Sequence, residues 1–122
     1  MSMPTHAQNS DDIILQLPPT PAVFFVLFAL AEGEAHGYRI MQQVAVLSDG
    51  KVRMGPATLY TAIQRLVDQQ LIEETEKDAG GRRRYYRLTH SGHTLLRAEL
   101  ERQAKVLQLA RSKKLIPMED AP

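Results

Sequence analysis

Met54-Gly55-Pro56-Ala57-Thr58-Leu59-Tyr60-Thr61-Ala62-Ile63-Gln64-Arg65-Leu66 is the stretch that decides how this chain folds. Gly55 leaves the backbone free just before a helix. Pro56 fits the first helical turn, where its missing N–H costs nothing. Leu59, Ile63, Leu66 and Val67 then recur at helical spacing and predict one buried face. Thr58, Thr61, Gln64 and Arg65 fall on the opposite face as hydrogen-bonding side chains of moderate length. Such a helix packs by one side and meets a partner with the other. Any amphipathic surface helix has a polar face, so the neighbouring segments must carry the case.

The next segment is Leu71-Ile72-Glu73-Glu74-Thr75-Glu76-Lys77, followed by Asp78-Ala79-Gly80-Gly81 and Arg82-Arg83-Arg84-Tyr85-Tyr86-Arg87-Leu88. Two runs flanking a glycine-containing turn read as a β-hairpin. In the second run Arg84, Tyr86 and Leu88 share one face, and Arg83, Tyr85 and Arg87 the other. Leu88 and one tyrosine are expected to point inward. Three consecutive arginines stand just past the Gly-Gly tip. A helix followed by a hairpin with a basic tip is the order of a winged helix-turn-helix, a mainly α (α+β) fold. Lys51-Val52-Arg53-Met54 is expected to add a short strand, giving a two- to three-stranded wing.

The rest of the chain fits around this unit. Residues 1–17 have the composition of a tail, with Asp11 to Leu17 as a short helix at most. Thr20 can cap a helix and Pro21 can open it, so a helix is expected from Pro21 to about Glu32, ended by Gly33. It is apolar all round, from Ala22 to Ala31, and must be wrapped by other elements or by a partner subunit. His36 to about Leu47 is the next helix, with Ile40, Met41, Val44 and Leu47 as its stripe, and Ser48-Asp49-Gly50 turns the chain. Thr89 or Ser91 caps a last helix. Residues 18–90 form the winged domain, 91–114 a C-terminal dimerisation helix and 115–122 a short acidic tail.

A chain of 122 residues is one small domain, and at 43% hydrophobic it can bury a core. It has no cysteine, which removes disulfides and thiolate metal sites. The polar start shows no basic secretory region and the apolar run at 22–31 is too short to span a bilayer, so a cytoplasmic location is expected. Net charge is only +1, but its distribution is uneven. From His36 to Arg97 there are ten Lys/Arg against six Asp/Glu, whereas Met1 to Ala35 holds four acids and no Lys or Arg. Basic charge is gathered on the helix-plus-hairpin unit, as nucleic-acid binding requires.

His36-Gly37-Tyr38, Gly55-Pro56-Ala57-Thr58-Leu59-Tyr60, Leu66, Leu71-Ile72, Arg84-Tyr85-Tyr86-Arg87-Leu88-Thr89 and Gly92, in that order, resemble the PadR family of bacterial transcriptional regulators. The resemblance runs from about Leu17 into the C-terminal helix. It implies a winged helix-turn-helix and a DNA-binding regulator without enzymatic activity. The family usually has a glycine before the Leu-Ile that opens the wing; this chain has Gln70.

Thr58, Tyr60, Thr61, Gln64 and Arg65 are the candidate DNA face. Gln and Arg can reach base edges with two hydrogen bonds, while Thr and Tyr hydroxyls can hold phosphates. The bland alternative is a solvated helix face, which the following wing makes less attractive. Arg82, Arg83 and Arg84 are candidates for phosphate or minor-groove contact, with Lys51 and Arg53 as weaker ones. The alternative for the arginines is pairing across the hairpin with Glu73, Glu74, Glu76 and Asp78. A split is expected, with Arg84 and Arg87 tied into the sheet and Arg82 and Arg83 free. His36 and Gly37 read as structural: a cap, and a point of close approach. His90 and His93 lie three apart but lack further ligands for a metal. No nucleophile, phosphate loop or paired acids suggest catalysis, and no cofactor is expected.

Function is therefore expected to be that of a DNA-binding regulator, a repressor acting as a homodimer. A winged module that binds protein instead would need an apolar patch on the helix, and Thr61, Gln64, Arg65 and Asp68 argue against one. RNA binding would favour exposed aromatics on the sheet, where Tyr85 alone qualifies. Leu96, Leu100, Leu107 and Ala110 follow a short heptad-like seam interrupted by Gln103. They are the expected dimer contacts, together with Phe24, Phe25 and Phe28. A small-molecule effector, should the protein respond to one, has no separate domain and would sit between subunits, walled by Phe24, Phe25, Phe28, Leu96 and Leu100.

Overall fold

The computed structural model describes residues 18–75 and 83–117. The expected helix at 11–17, the hairpin tip with Arg82 and the end of the tail lie outside them. The elements run α1 (Pro21–Ala29), β1 (Ala35–His36), α2 (Gly37–Leu47), α3 (Pro56–Asp68), β2 (Ile72–Thr75), β3 (Tyr85–Leu88) and α4 (His90–Ser112). This is the winged helix-turn-helix expected.

Local chemistry sets most boundaries. Thr20 Oγ1 accepts from Val23 N at 3.2 Å and Pro21 opens α1. The regular helix ends at Ala29, a turn before Glu32, and closes with Leu30 and Ala31 donating to Leu27 and Phe28. Thr89 Oγ1 accepts from Gly92 N at 3.0 Å and starts α4. Its own hydroxyl donates to the Gln70 carbonyl at 2.6 Å, tying α4 to the end of α3.

The all-apolar α1 is wrapped by α2 and α4. Val26, Leu27, Ile40, Val44, Leu59, Ile63, Leu66, Leu71, Ile72 and Leu95 are sealed from solvent, drawing one core from α1, α2, α3, the sheet and α4. Of the α3 face predicted to be buried, Leu59, Ile63 and Leu66 are buried and Val67 is partly so.

The sheet has three antiparallel strands in the order β1-β3-β2. Ile72 pairs with Leu88 and Glu73 with Arg87 on one side; Ala35 pairs with Tyr86 and His36 with Tyr85 on the other. Tyr86 and Leu88 point inward as expected. The third strand is a correction: it is Ala35–His36, and 51–54 is irregular. The backbone of that loop is turned by the buried Ser48 hydroxyl, which accepts from Val52 N at 2.9 Å and donates to a nearby carbonyl. Val52 N–H is thereby taken from any sheet.

Candidate nucleic-acid interface

The exposed side of α3 is narrow and polar. Ala57, Thr58, Thr61, Gln64, Arg65 and Asp68 are all exposed. At 3.6 residues per turn they fall within an arc of about 120°. Thr58 and Arg65 border the start of α1, while Tyr60 lies on the wing side. The side chains are not equally available. Thr61 Oγ1 donates to the Ala57 carbonyl at 3.0 Å, so its hydroxyl proton is spent inside the helix and its methyl and lone pairs face out. Gln64 Nε2 donates to Asp68 Oδ1 at 3.0 Å. Asp68 was not among the candidates drawn from the sequence, although its spacing of four from Gln64 is a signal for such a pair.

The wing stands beside this helix. Between them lies an open cleft of about 490 Å³ lined by His36, Gly37, Tyr38, Tyr60, Arg83, Arg84 and Tyr86. Tyr60 is half-exposed and leans over Gly37. Tyr38, at 62% exposure, stands at the cleft mouth and was likewise missed from the sequence. Burial raises the Tyr86 phenol above its usual pKa, with the Glu74 carboxylate adding to the effect. The group stays neutral.

The arginines divide. Arg87 Nε meets Glu73 Oε2 at 2.7 Å, across the strand pair, and Arg84 Nε lies 3.5 Å from Glu74 Oε1. Both pairs are largely exposed, so each adds little to stability and is readily exchanged for a phosphate. Arg83 is exposed, but it does not stand alone: its Nη1 is 3.4 Å from His36 Nε2. His36 also caps α2, its Nδ1 accepting from Arg39 N at 3.2 Å. In the neutral tautomer that caps, the proton sits on Nε2, so Arg83 meets a donor there. The two groups are therefore neighbours and not hydrogen-bond partners in that tautomer. Lys51 and Arg53 are exposed in the loop between α2 and α3. The Tyr85 ring packs edge-on against His36 with centroids 5.4 Å apart, so it is no open stacking platform.

Three further expectations concern residues away from this surface. Phe24 and Leu96 are buried within the protomer, and Phe25 and Phe28 pack partly against its core. Leu100 and Leu107 are exposed at 36% and 47%, and Ala110 is half-buried. His90 and His93 are exposed, and among the described residues no group of three His, Cys, Asp or Glu could hold a metal ion. None of the described helices is long and apolar enough to cross a membrane.

A helix-turn-helix with an attached three-stranded wing agrees with what comparison with known proteins finds. The profile of the transcriptional regulator PadR-like family matches residues 26–98, more than half the chain. The chain belongs to the PadR family. An uncharacterized 37.1 kDa protein in transposon TN4556 of Streptomyces fradiae is 39% identical over 85 residues, which is 70% of this PadR-family chain. The match covers 24% of that protein, so the chain spans about a quarter of its length. A transcriptional regulator from Clostridium thermocellum is 25% identical, with a TM-score of 0.59 over 84% of this chain and 97% of its own. A PadR family transcription regulator from Clostridium difficile shares the fold at 23% identity and a TM-score of 0.60, over 75% of this chain and 95% of its own. The matched family is one of transcriptional regulators.

Proposed function

We propose that this PadR-family protein is a sequence-specific DNA-binding repressor that acts in the cytoplasm as a homodimer on a near-palindromic operator. The observation that carries the proposal is the polar, exposed face of α3, with Thr58, Thr61, Gln64 and Arg65, set beside a basic wing. A protein-docking module would instead carry an apolar patch there, and Tyr60 is the one large exposed apolar side chain on that helix. Gln64 and Arg65 are assigned to base edges. Tyr60, Arg83, Arg84 and the sequence neighbour Arg82 are assigned to the backbone, with Lys51 and Arg53 as outlying phosphate contacts.

Dimerisation is supported by the far half of α4. Leu107, about half exposed, stands in line with Leu100 two turns earlier, and Val106 and Leu109 are about half exposed on other sides of the helix. A small regulator with exposed leucines along a helix needs a cover for them, and a second copy leaning its own α1 and α4 on this stripe supplies one. Phe25, Phe28, Leu100, Leu107 and Ala110 are the contacts assigned, with Phe24 and Leu96 supporting them from within the protomer. Two reading helices about 34 Å apart then meet successive major grooves, hence the near-palindrome. A small-molecule effector would bind where the two protomers meet.

An electrophoretic shift with the DNA upstream of the protein's own gene, against excess non-specific duplex, tests the proposal. The wild type should stay bound. In Arg82→Ala/Arg83→Ala the salt slope should become shallower by about 0.9 for each phosphate that is no longer neutralised. Binding abolished by competitor, or sedimentation of the full chain as a monomer at micromolar concentration, would refute it.

A further inference from the structure

We infer that Gln64 reads an adenine and that Asp68 sets its side-chain amide for that base; this rests on the DNA-binding proposal above. The two residues lie four apart on α3, both exposed, with Gln64 Nε2 donating to Asp68 Oδ1 at 3.0 Å. An ionised carboxylate only accepts hydrogen bonds, so it must face the NH₂ end of the amide and not the carbonyl end. The pairing therefore fixes which way the amide points. It uses one of the two Nε2 hydrogens. One N–H and the Oε1 lone pairs remain for a partner.

That remaining pattern, one donor beside one acceptor, matches a single base in the major groove. Adenine presents an N7 acceptor beside the N6 amino donor. Guanine presents two acceptors, N7 and O6, and would set O6 against Oε1. Thymine offers an acceptor and a methyl group. Cytosine can donate from N4 to Oε1 but leaves the N–H unmatched. An unconstrained glutamine can turn its amide over and accept several of these edges. Asp68 removes that freedom, so the pair rejects bases that Gln64 alone would tolerate.

The surroundings agree. Thr61 and Ala57 stand one and two turns N-terminal to Gln64 on the same face, and the Thr61 hydroxyl proton is already committed to the Ala57 carbonyl. Small side chains there let a base edge approach Gln64 without a competing donor. Asp68 also places negative charge on a face that approaches a polyanion, which weakens binding to every sequence. A face built only to hold phosphates has no use for that carboxylate, and discrimination between bases accounts for it.

The test is selection of bound sites from a pool of random duplexes, using the full-length wild type, Gln64→Ala and Asp68→Ala. The wild type should select a motif with an A·T pair, in fixed orientation, preferred at least about tenfold at one position of each half-site. Gln64→Ala should lose that preference and keep the other positions. Asp68→Ala should broaden the same position while binding random duplex more tightly than the wild type. An A·T preference unchanged in either variant overturns the inference. So does a C·G preference that disappears in Asp68→Ala, which would make Asp68 itself the contact, accepting from cytosine N4. If the wild type selects no motif, the DNA-binding proposal falls. A clear motif indifferent to Gln64 overturns the adenine assignment alone.

Discussion

Tyr60 of α3 closes over the backbone of Gly37 at the first turn of α2, occupying the space in which any other residue would carry its Cβ. A Cβ at Gly37 would stand 2.7 Å from Tyr60 Cζ and closer still to the hydroxyl. Both residues line the cleft between α3 and the wing, so the contact bears on the shape of that cleft. Gly37→Ala should cost little stability. Alanine improves helix propensity by up to ~1 kcal/mol, and the Tyr60 ring, 48% exposed, can swing aside. Operator affinity should fall, since the displaced ring enters the DNA side of the cleft. In a double-mutant cycle with Tyr60→Ala the two changes should couple by about 0.5–3 kcal/mol in binding. Strict additivity would mean that the contact is incidental.

Gly92 gives the opposite outcome. A Cβ there would overlap the Leu71 carbonyl, which is backbone and cannot turn away. That carbonyl also accepts from Thr89 N at 3.1 Å, so moving it loosens the junction of α4 with the wing. Gly92→Ala should destabilise folding by about 1–3 kcal/mol or more, as overpacking does. Chemical denaturation measures it. A loss no larger than that of Gly37→Ala would contradict the rigid-junction account.

The contrast shows where the sequence was legible. The amphipathic α3, the caps at Thr20 and Thr89, and the inward pair Tyr86 and Leu88 all follow from neighbours within a few residues, and each is where expected. The third strand was misplaced because a two-residue strand has no periodicity. Ala35–His36 is a strand only by pairing with Tyr85 and Tyr86, some fifty positions along the chain. Lys51 to Met54 has better local β character, yet Ser48 takes its backbone hydrogen bond. Within the candidate interface, residue types were readable but hydrogen-bond commitments were not. Nothing in the composition of α3 tells that the Thr61 proton is spent on Ala57, and the spacing of Gln64 and Asp68 allows their pair without requiring it.

Gln70, just past the end of α3, has φ +62°. It donates to the Val67 carbonyl while Leu71 N reaches back to Leu66. This is the left-handed position that ends many helices. A side chain there costs about 1–2 kcal/mol against glycine, offset by glycine's extra unfolded-state entropy of roughly 0.5–1. Gln70→Gly should therefore raise stability by about 0.5–1 kcal/mol and leave operator affinity unchanged. A rise in melting temperature of a few degrees would agree with this; a fall would show that the glutamine side chain holds something that glycine cannot.

His36 makes the stability of the interface depend on pH. Its pKa lies below the ordinary 6.5, first because the ring is partly buried and then because Arg83 and Arg39 repel a second positive charge. Folded protein thus takes up this proton at lower pH than unfolded protein does. The stabilisation from neutral His36 is complete above pH ~6.5 and is lost as pH falls from there through the depressed value. The chemistry agrees with the sign, since protonated Nδ1 can no longer accept from Arg39 N and the start of α2 loses its cap. Asparagine caps helices well and does not titrate. His36→Asn should therefore show a smaller fall in melting temperature than the wild type between about pH 7 and pH 5. Parallel pH profiles would assign the acid sensitivity to groups other than His36.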